Sequence, residues 1–403
     1  MQYRIDKRSG YKLSVLGFGC MRFPRAFAKI DLQKTEEMVM RSIEAGVNYF
    51  DTAWVYPGSE EALGAVLEKN HAREKIYIAT KLPLVLLKDG DTEAKFERYF
   101  DQSLQRLKTG YIDYYLLHML TDLEQWRKLK SQGIESWLQR KKNSGLVRQI
   151  GFSFHGSGSE FLKILDDYDW EFTQIQYNYS DENFQAGVKG LQAAAAKMPV
   201  IIMEPLLGGR LASGLPKDAV NIFRSADSNL SPAGWALNWI WNQAEATVVL
   251  SGMSTMEQLD ENLRLADNAS AGMLNSEKKA VYANVLESVN RSFKIACTGC
   301  NYCMPCPAGV NIPGSFAAYN AIYSMGYMEG MKQFVTSTGF TSETGSSPSL
   351  CIKCGKCESH CPQHIPIMNE LVKVKRKMEP FFVRFMGVCA RAFLGKKRKK
   401  INV

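Results

Sequence analysis

Apolar residues in this chain gather into short runs, separated by stretches where they recur every three or four positions. The runs are LSVLGFGC (13–20), NYFDTA (48–53), KIYIATKL (75–82), IDYYLLHM (112–119), RQIGFSF (148–154), TQIQYNY (173–179), PVIIMEPL (199–206) and ATVVLSGM (246–253). Rich in β-branched and aromatic residues, each predicts a strand. Between them KTEEMVMRSIEAG (34–46), SEEALGAVLEKN (59–70), TEAKFERYFDQSLQRLK (92–108), GSEFLKILDDY (158–168), AGVKGLQAAAAKM (186–198) and SPAGWALNWIWNQ (231–243) carry the helical period. Strands alternating with helices over this length predict a (β/α)8 TIM barrel. The strands are solidly apolar, as a parallel sheet covered by helices requires. No G-x-G-x-x-G follows the first run, which argues against a doubly wound dinucleotide-binding sheet.

Beyond the last run the pattern changes. Residues 271–292 predict one connecting helix, residues 293–372 are cysteine-rich, and residues 373–403 are basic. The expected organisation is a barrel over 1–270, that connecting helix, a small mainly helical cysteine-rich domain over 293–372, and a C-terminal tail.

Charge and cysteine usage refine this division. The whole chain of 403 residues has a formal net charge of +9. Residues 373–403 hold 11 Lys and Arg against one acidic residue, leaving 39 basic and 40 acidic groups elsewhere. The body is near neutral, so a nucleic-acid partner is not expected. The N-terminus MQYRIDKRSG has no apolar signal-peptide core, and no run is long enough to span a membrane. Eight of the ten cysteines lie in two short clusters, and only Cys20 and Cys389 stand apart. This is not the scatter of a disulfide framework, so a cytoplasmic protein with metal chemistry is expected.

Four chemically capable residues fall at the ends of successive predicted strands, where barrel active sites form. Asp51 closes NYFD, Tyr56 follows in DTAWVYPGSE, Lys81 ends YIATK and His118 ends DYYLLH. Each alone is ordinarily a cap, a turn residue or a solvated charge; the combination is what matters. Tyr56 can serve as a proton donor. A phenol with pKa near ~10 is a weak acid, and a neighbouring Lys81 ammonium is expected to lower it. Asp51 would hold Lys81 charged, and His118 offers a further N–H donor beside them.

The stretches LGFGCMRF, NYFDTAWVYPGSEEALG, IYIATK, DYYLLH, IGFSFH, TQIQYN and VVLSGMSTMEQLDEN resemble the aldo-keto reductase family, in order and one per strand, over about residues 10–270. That resemblance implies reversible hydride transfer between NAD or NADP and a small aldehyde or ketone, with Tyr56 giving its proton to the carbonyl oxygen and His118 donating a hydrogen bond to it. It implies a nicotinamide site of Ser153 and Gln174, with Phe154 where the family has Asn and His155 beside it. In the loop EPLLGGRLASG it points to Leu206, Gly208 and Arg210 for the pyrophosphate. At the adenosine end it points to Gly252, Ser254, Gln258 and Asn262. Gly252 and Gln258 stand where the family has the Lys and Arg that read a 2′-phosphate, so NADH and NADPH both remain open.

The first cysteine cluster, CTGCNYCMPCP, contains Cys297, Cys300, Cys303 and Cys306. The second, CIKCGKCESHCP, contains Cys351, Cys354, Cys357 and Cys361. Three cysteines in successive x2 steps, closed by a further Cys-Pro, is iron–sulfur spacing rather than the paired knuckles of zinc. Two [4Fe-4S] clusters in a ferredoxin-like domain are expected, and the chain resembles aldo-keto reductases carrying such a domain. By resemblance to two-cluster ferredoxins, Cys361 would complete the first cluster and Cys306 the second.

A nicotinamide gives up two electrons as hydride, whereas a cluster passes one. The clusters could therefore serve a ferredoxin-like electron partner, sense redox state, or be structural. A second overall reading is an electron-transfer or redox-sensing protein whose barrel mainly binds ligand. The tail segment PFFVRFMGVCARAFLG followed by KKRKK suits either a helix packed on the body or peripheral contact with an anionic membrane.

Overall fold

The computed structural model describes residues 1–27, 29–87, 92–156, 158–183, 185–291, 294–297, 299, 303–338, 346–361 and 364–380. Cys300, Cys389 and the tail beyond residue 380 lie outside the described residues.

The eight apolar runs form eight strands: β1 (Leu16–Gly19), β2 (Tyr49–Asp51), β3 (Tyr77–Leu82), β4 (Ile112–Leu120), β5 (Val147–Phe154), β6 (Phe172–Gln176), β7 (Val200–Met203) and β8 (Ala246–Ser251). They pair in parallel in sequence order, and β8 pairs with β1 to close the barrel. Each amphipathic stretch becomes a helix within a residue or two of its predicted limits, as for Ser59–Lys69, Glu93–Leu107 and Gly187–Lys197. Starts follow local chemistry: Asp31, Asp122 and Ser231 each accept from a backbone N–H in the first turn of the helix they precede.

The barrel interior is filled, not hollow. Tyr49, Tyr114, Phe172, Ile201, Val248 and Leu250 pack there with Leu13. Gly17 sits among them because a Cβ would come within 2.7 Å of Leu250 and Val248. The antiparallel hairpin Tyr3–Ile5/Lys12–Ser14 closes the N-terminal end, where the Tyr114 hydroxyl donates to the buried Asp6 carboxylate at 2.8 Å. Chemistry is thereby left to the opposite end, where the strands finish.

Contacts divide the chain into two compact units, Met1–Ala212 with Leu230–Lys279, and Ser213–Asn229 with Ala280–Val403. The segment 213–229, which the strand pattern assigns to the barrel, thus groups with the second unit. Its helix Lys217–Ala226 places Phe223 against Tyr282 of the helix Ser276–Arg291, ring centres 6.0 Å apart. The rest of this unit is mainly helical, with Ile312–Met325, Tyr327–Thr338 and Ile367–Met378. Its core of Val310, Phe316, Phe334, Leu371, Val374 and Met378 has Cys297, Cys303, Cys306, Cys351, Cys357 and Cys361 packed against it. No helix among the described residues is long and apolar enough to cross a membrane.

Candidate active site

The C-terminal ends of β2, β3 and β4 bring three of the four residues together in a dry wall. Asp51 is the last residue of β2, Lys81 lies in β3 and His118 in β4; all three are buried. Strand pairing carries this placement, since Asp51 stands opposite Ala79, two residues before Lys81 on the same face of the strand. Lys81 Nζ donates to both Asp51 carboxylate oxygens, at 2.8 and 2.7 Å, and to the Thr52 carbonyl at 2.6 Å. Its three N–H groups are thus all engaged. Burial works against the Lys81 ammonium, but the Asp51 carboxylate outweighs it and holds the lysine charged.

Tyr56 comes from the loop after β2, and its ring lies 5.2 Å from Lys81 Nζ. The His118 ring meets it edge to face, centres 5.9 Å apart at 84°. The phenol departs from the simple expectation of a lowered pKa. Burial pushes Tyr56 up; Lys81 pulls it down, but Asp51, Cys20 and Glu204 add to the upward push. The net direction is up because burial disfavours the phenolate more than one already paired ammonium favours it. Burial, then the Lys81 and His155 charges, lower His118 to about 3. This imidazole is therefore neutral at ordinary pH.

Ser153 and Gln174 lie side by side on the paired strands β5 and β6. The Ser153 hydroxyl accepts the Met119 backbone N–H at 2.8 Å, which leaves its own proton to donate. Gln174 is buried and its Oε1 has no partner among the described residues, while Nε2 meets the Met203 sulfur at 3.6 Å. A buried amide oxygen without a donor is costly unless a ligand supplies one. A carboxamide group fits both. Phe154 turns its back on this site: it is buried and packs on Phe161 at 5.1 Å. His155 is partly buried, and burial lowers it against the pull of Glu204.

After β7 the chain turns through Leu207 (φ 46°), Gly208 (φ 68°) and Gly209 (φ 98°), then starts a short helix at Arg210. Arg210 Nε donates back to the Leu207 carbonyl at 3.1 Å. Arg22, which the sequence reading passed over, lies across this region. A Cβ on Gly252 would be 2.9 Å from Arg22 Cδ, and one on Gly208 would be 3.2 Å from its guanidinium. Arg22 therefore spans the turn after β7 and the end of β8, as an anion-binding side chain would. The signal in the sequence was its position just after the first strand, in LGFGCMRF. Glu204 was also passed over, although its charge reaches both Tyr56 and His155.

At the far end Gln258 Oε1 accepts from the Ser254 backbone N–H at 2.9 Å, so the two fold onto each other. Asn262 is buried and its amide donates to Ser251 Oγ at 2.9 Å, which commits it to holding the end of β8. No guanidinium stands at position 252 or 258 to clamp a phosphate.

A closed parallel barrel with an Asp–Lys–Tyr–His group at its strand ends defines an oxidoreductase class. Residues 15–271 match the aldo/keto reductase family, and the chain belongs to it. Residues 296–365 match a 4Fe-4S dicluster domain. Relatives include an L-glyceraldehyde 3-phosphate reductase of Escherichia coli (strain K12), 24% identical over 313 residues, 66% of this chain and 88% of that protein. L-galactose dehydrogenase of Arabidopsis thaliana is 25% identical, covering 72% of this chain and 95% of its own. Among solved structures, the aldo-keto reductase AKR11C1 from Bacillus halodurans in its holo form superimposes with a TM-score of 0.58 at 24% identity, over 71% of this chain and 96% of that one. An aldo-keto reductase from Klebsiella pneumoniae in complex with NADPH gives 0.58 at 21% identity with the same coverage.

Proposed function

We propose that the barrel catalyses reversible reduction of a small aldehyde or ketone, with Tyr56 as proton donor. The observation that carries this is the buried Lys81, its ammonium fixed by Asp51 and Thr52 and set 5.2 Å from the Tyr56 ring. A bound NADH or NADPH would supply hydride to the carbonyl carbon. Ser153 and the unpaired Gln174 Oε1 suit its carboxamide, and Arg22, Gly208 and Arg210 suit its phosphates. Tyr56 O–H gives its proton to the carbonyl oxygen, and the nearby Lys81 charge stabilises the phenolate that remains. His118, neutral by burial, orients the carbonyl oxygen through an N–H and is not the proton source.

The test is Tyr56→Phe, assayed with a carbonyl screen and both nicotinamides. Turnover is expected to fall by about 10²–10⁴-fold while the circular dichroism spectrum stays that of the parent. Parent-like turnover would remove Tyr56 from the mechanism.

We also read the second unit as the holder of two [4Fe-4S] clusters on the eight cysteines of the two motifs. Support comes from the dicluster match and from the thiol chemistry and spacing of the eight cysteines, which suit iron–sulfur ligation; among the described residues no three of them stand grouped to hold a single metal ion. The cross-pairing of Cys361 with Cys297, Cys300 and Cys303, and of Cys306 with Cys351, Cys354 and Cys357, is part of this reading. The basic tail is proposed as a peripheral membrane contact; co-sedimentation with anionic liposomes, lost on truncation after Pro380, which leaves the helix Ile367–Met378 and its core residues in place, checks it.

A further inference from the structure

The two cysteine motifs differ in what surrounds them. CTGCNYCMPCP has no charged residue, whereas CIKCGKCESHC carries Lys353 and Lys356. The second motif opens to solvent: Lys353, Cys354 and Lys356 are all exposed. Neither lysine meets a carboxylate among the described residues. Two apolar side chains are exposed beside them, Leu350 at 42% and Ile352 at 67%. Leu350 and Ile352 thus form a small exposed apolar pair flanked by two lysines, an apolar centre with a charged rim of the kind protein contacts use.

The backbone presents this turn deliberately. Lys353 (φ 57°) and Gly355 (φ 77°) both take the left-handed conformation on either side of the exposed Cys354. The turn is anchored from behind by the helix Ile367–Met378. Near its start the Met368 backbone N–H donates to Glu358 at 2.8 Å, and just past its end Glu379 accepts from Ser349. Glu358, the one acidic residue within the motif, is thereby drawn inward to a structural bond. The same helix carries exposed Arg376 and Lys377.

We propose that the Leu350–Lys356 turn is a docking surface for a small one-electron carrier protein with an acidic face around its own redox group. This rests on the reading that the second motif holds a cluster. Lysines steer an acidic partner and set orientation, and the apolar pair supplies the contact that excludes water. A reduced carrier would give up one electron and a cluster held by the cysteines of the second motif would take it up; no covalent bond would form or break. The first motif, uncharged, has no such steering groups, which makes the second the entry point.

The experiment uses the full-length protein, reconstituted anaerobically, with a purified acidic flavodoxin as the probe. Binding is measured by calorimetry at low salt and at about 0.15 M, where the screening length is ~8 Å. The expected result is binding that weakens with salt and weakens about tenfold or more in Lys353→Glu/Lys356→Glu, with iron content and visible absorbance unchanged. Ile352→Ser is expected to weaken binding with little change in its salt dependence. Lys163→Glu/Lys197→Glu, on exposed barrel helices, is the control and keeps parent-like binding. Full iron with equal affinity in parent and Lys353→Glu/Lys356→Glu overturns the docking surface alone. A parent that takes up no iron overturns the cluster reading and this proposal with it. Lysine-dependent binding to phosphatidylglycerol vesicles without binding to flavodoxin replaces the carrier by a membrane and also overturns it.

Discussion

At the scale of single residues, burial decides more than charge. Tyr56 sits by an ammonium yet its phenol moves up, and His118 falls to about 3, both with burial as the largest cause. Tyr56 is therefore kept protonated and His118 neutral, which suits the roles proposed for them. The lowered imidazole also makes a stability prediction. The unfolded chain binds a proton at His118 near pH ~6.5, while the folded chain resists until about 3. Stability thus declines as pH falls below about 6.5, and His118→Gln should flatten part of that decline. Melting temperatures of parent and variant from about pH 7 to about pH 5 check it; equal slopes would count against a buried neutral His118. Lys81 yields a second prediction. Lys81→Met leaves the buried Asp51 carboxylate without its partner and should cost about 3–5 kcal/mol in denaturant unfolding, with Asp51→Asn in the same chain recovering part of it.

At the scale of elements, the strand ends hold the site and the loops complete it. β2, β3 and β4 deliver Asp51, Lys81 and His118; β5 and β6 deliver Ser153 and Gln174; the turns after β1, β7 and β8 bring Arg22, Gly208 and Gly252 within contact. Only a residue without Cβ leaves Arg22 its place over position 252. Gly252→Ala must displace that side chain, and Arg22→Ala removes it. Both should raise the KM for the nicotinamide about tenfold or more with a smaller effect on kcat, the mark of lost ground-state binding. A fall in kcat at constant KM would instead place Arg22 in the chemical step.

At the scale of the whole molecule, two units with separate cores share one chain. The second core is modest, and the cysteines complete its packing. Metal binding and folding are then expected to be coupled in that unit. Oxidative loss of iron should speed proteolysis between residues 280 and 380, read by mass spectrometry, while the fragments arising from the barrel strands appear at the parent rate. Proteolysis indifferent to iron would make the clusters dispensable to the fold.

Much of this was legible beforehand, for a physical reason that can be named. Strand runs such as KIYIATKL and capped helices such as SPAGWALNWIWNQ carry their structure in local period and capping chemistry, so the eight-fold alternation and the cysteine spacing could be read directly. The resemblance to a known family assigned Asp51, Tyr56, Lys81 and His118 roles that no single residue would have suggested. What local pattern cannot hold is the meeting of distant segments. Arg22 reaches Gly252 only because β8 closes on β1, and Glu204 bears on Tyr56 only because β7 and β2 share one barrel end. The same holds for residues 213–229, which lie within the barrel's stretch of sequence and group with the second unit. The composition and order of the elements belonged to the sequence alone; the electrostatics of Tyr56, the reach of Arg22 and the outward face of the second cysteine motif were decided by tertiary packing, because burial and proximity exist only once the chain has closed on itself.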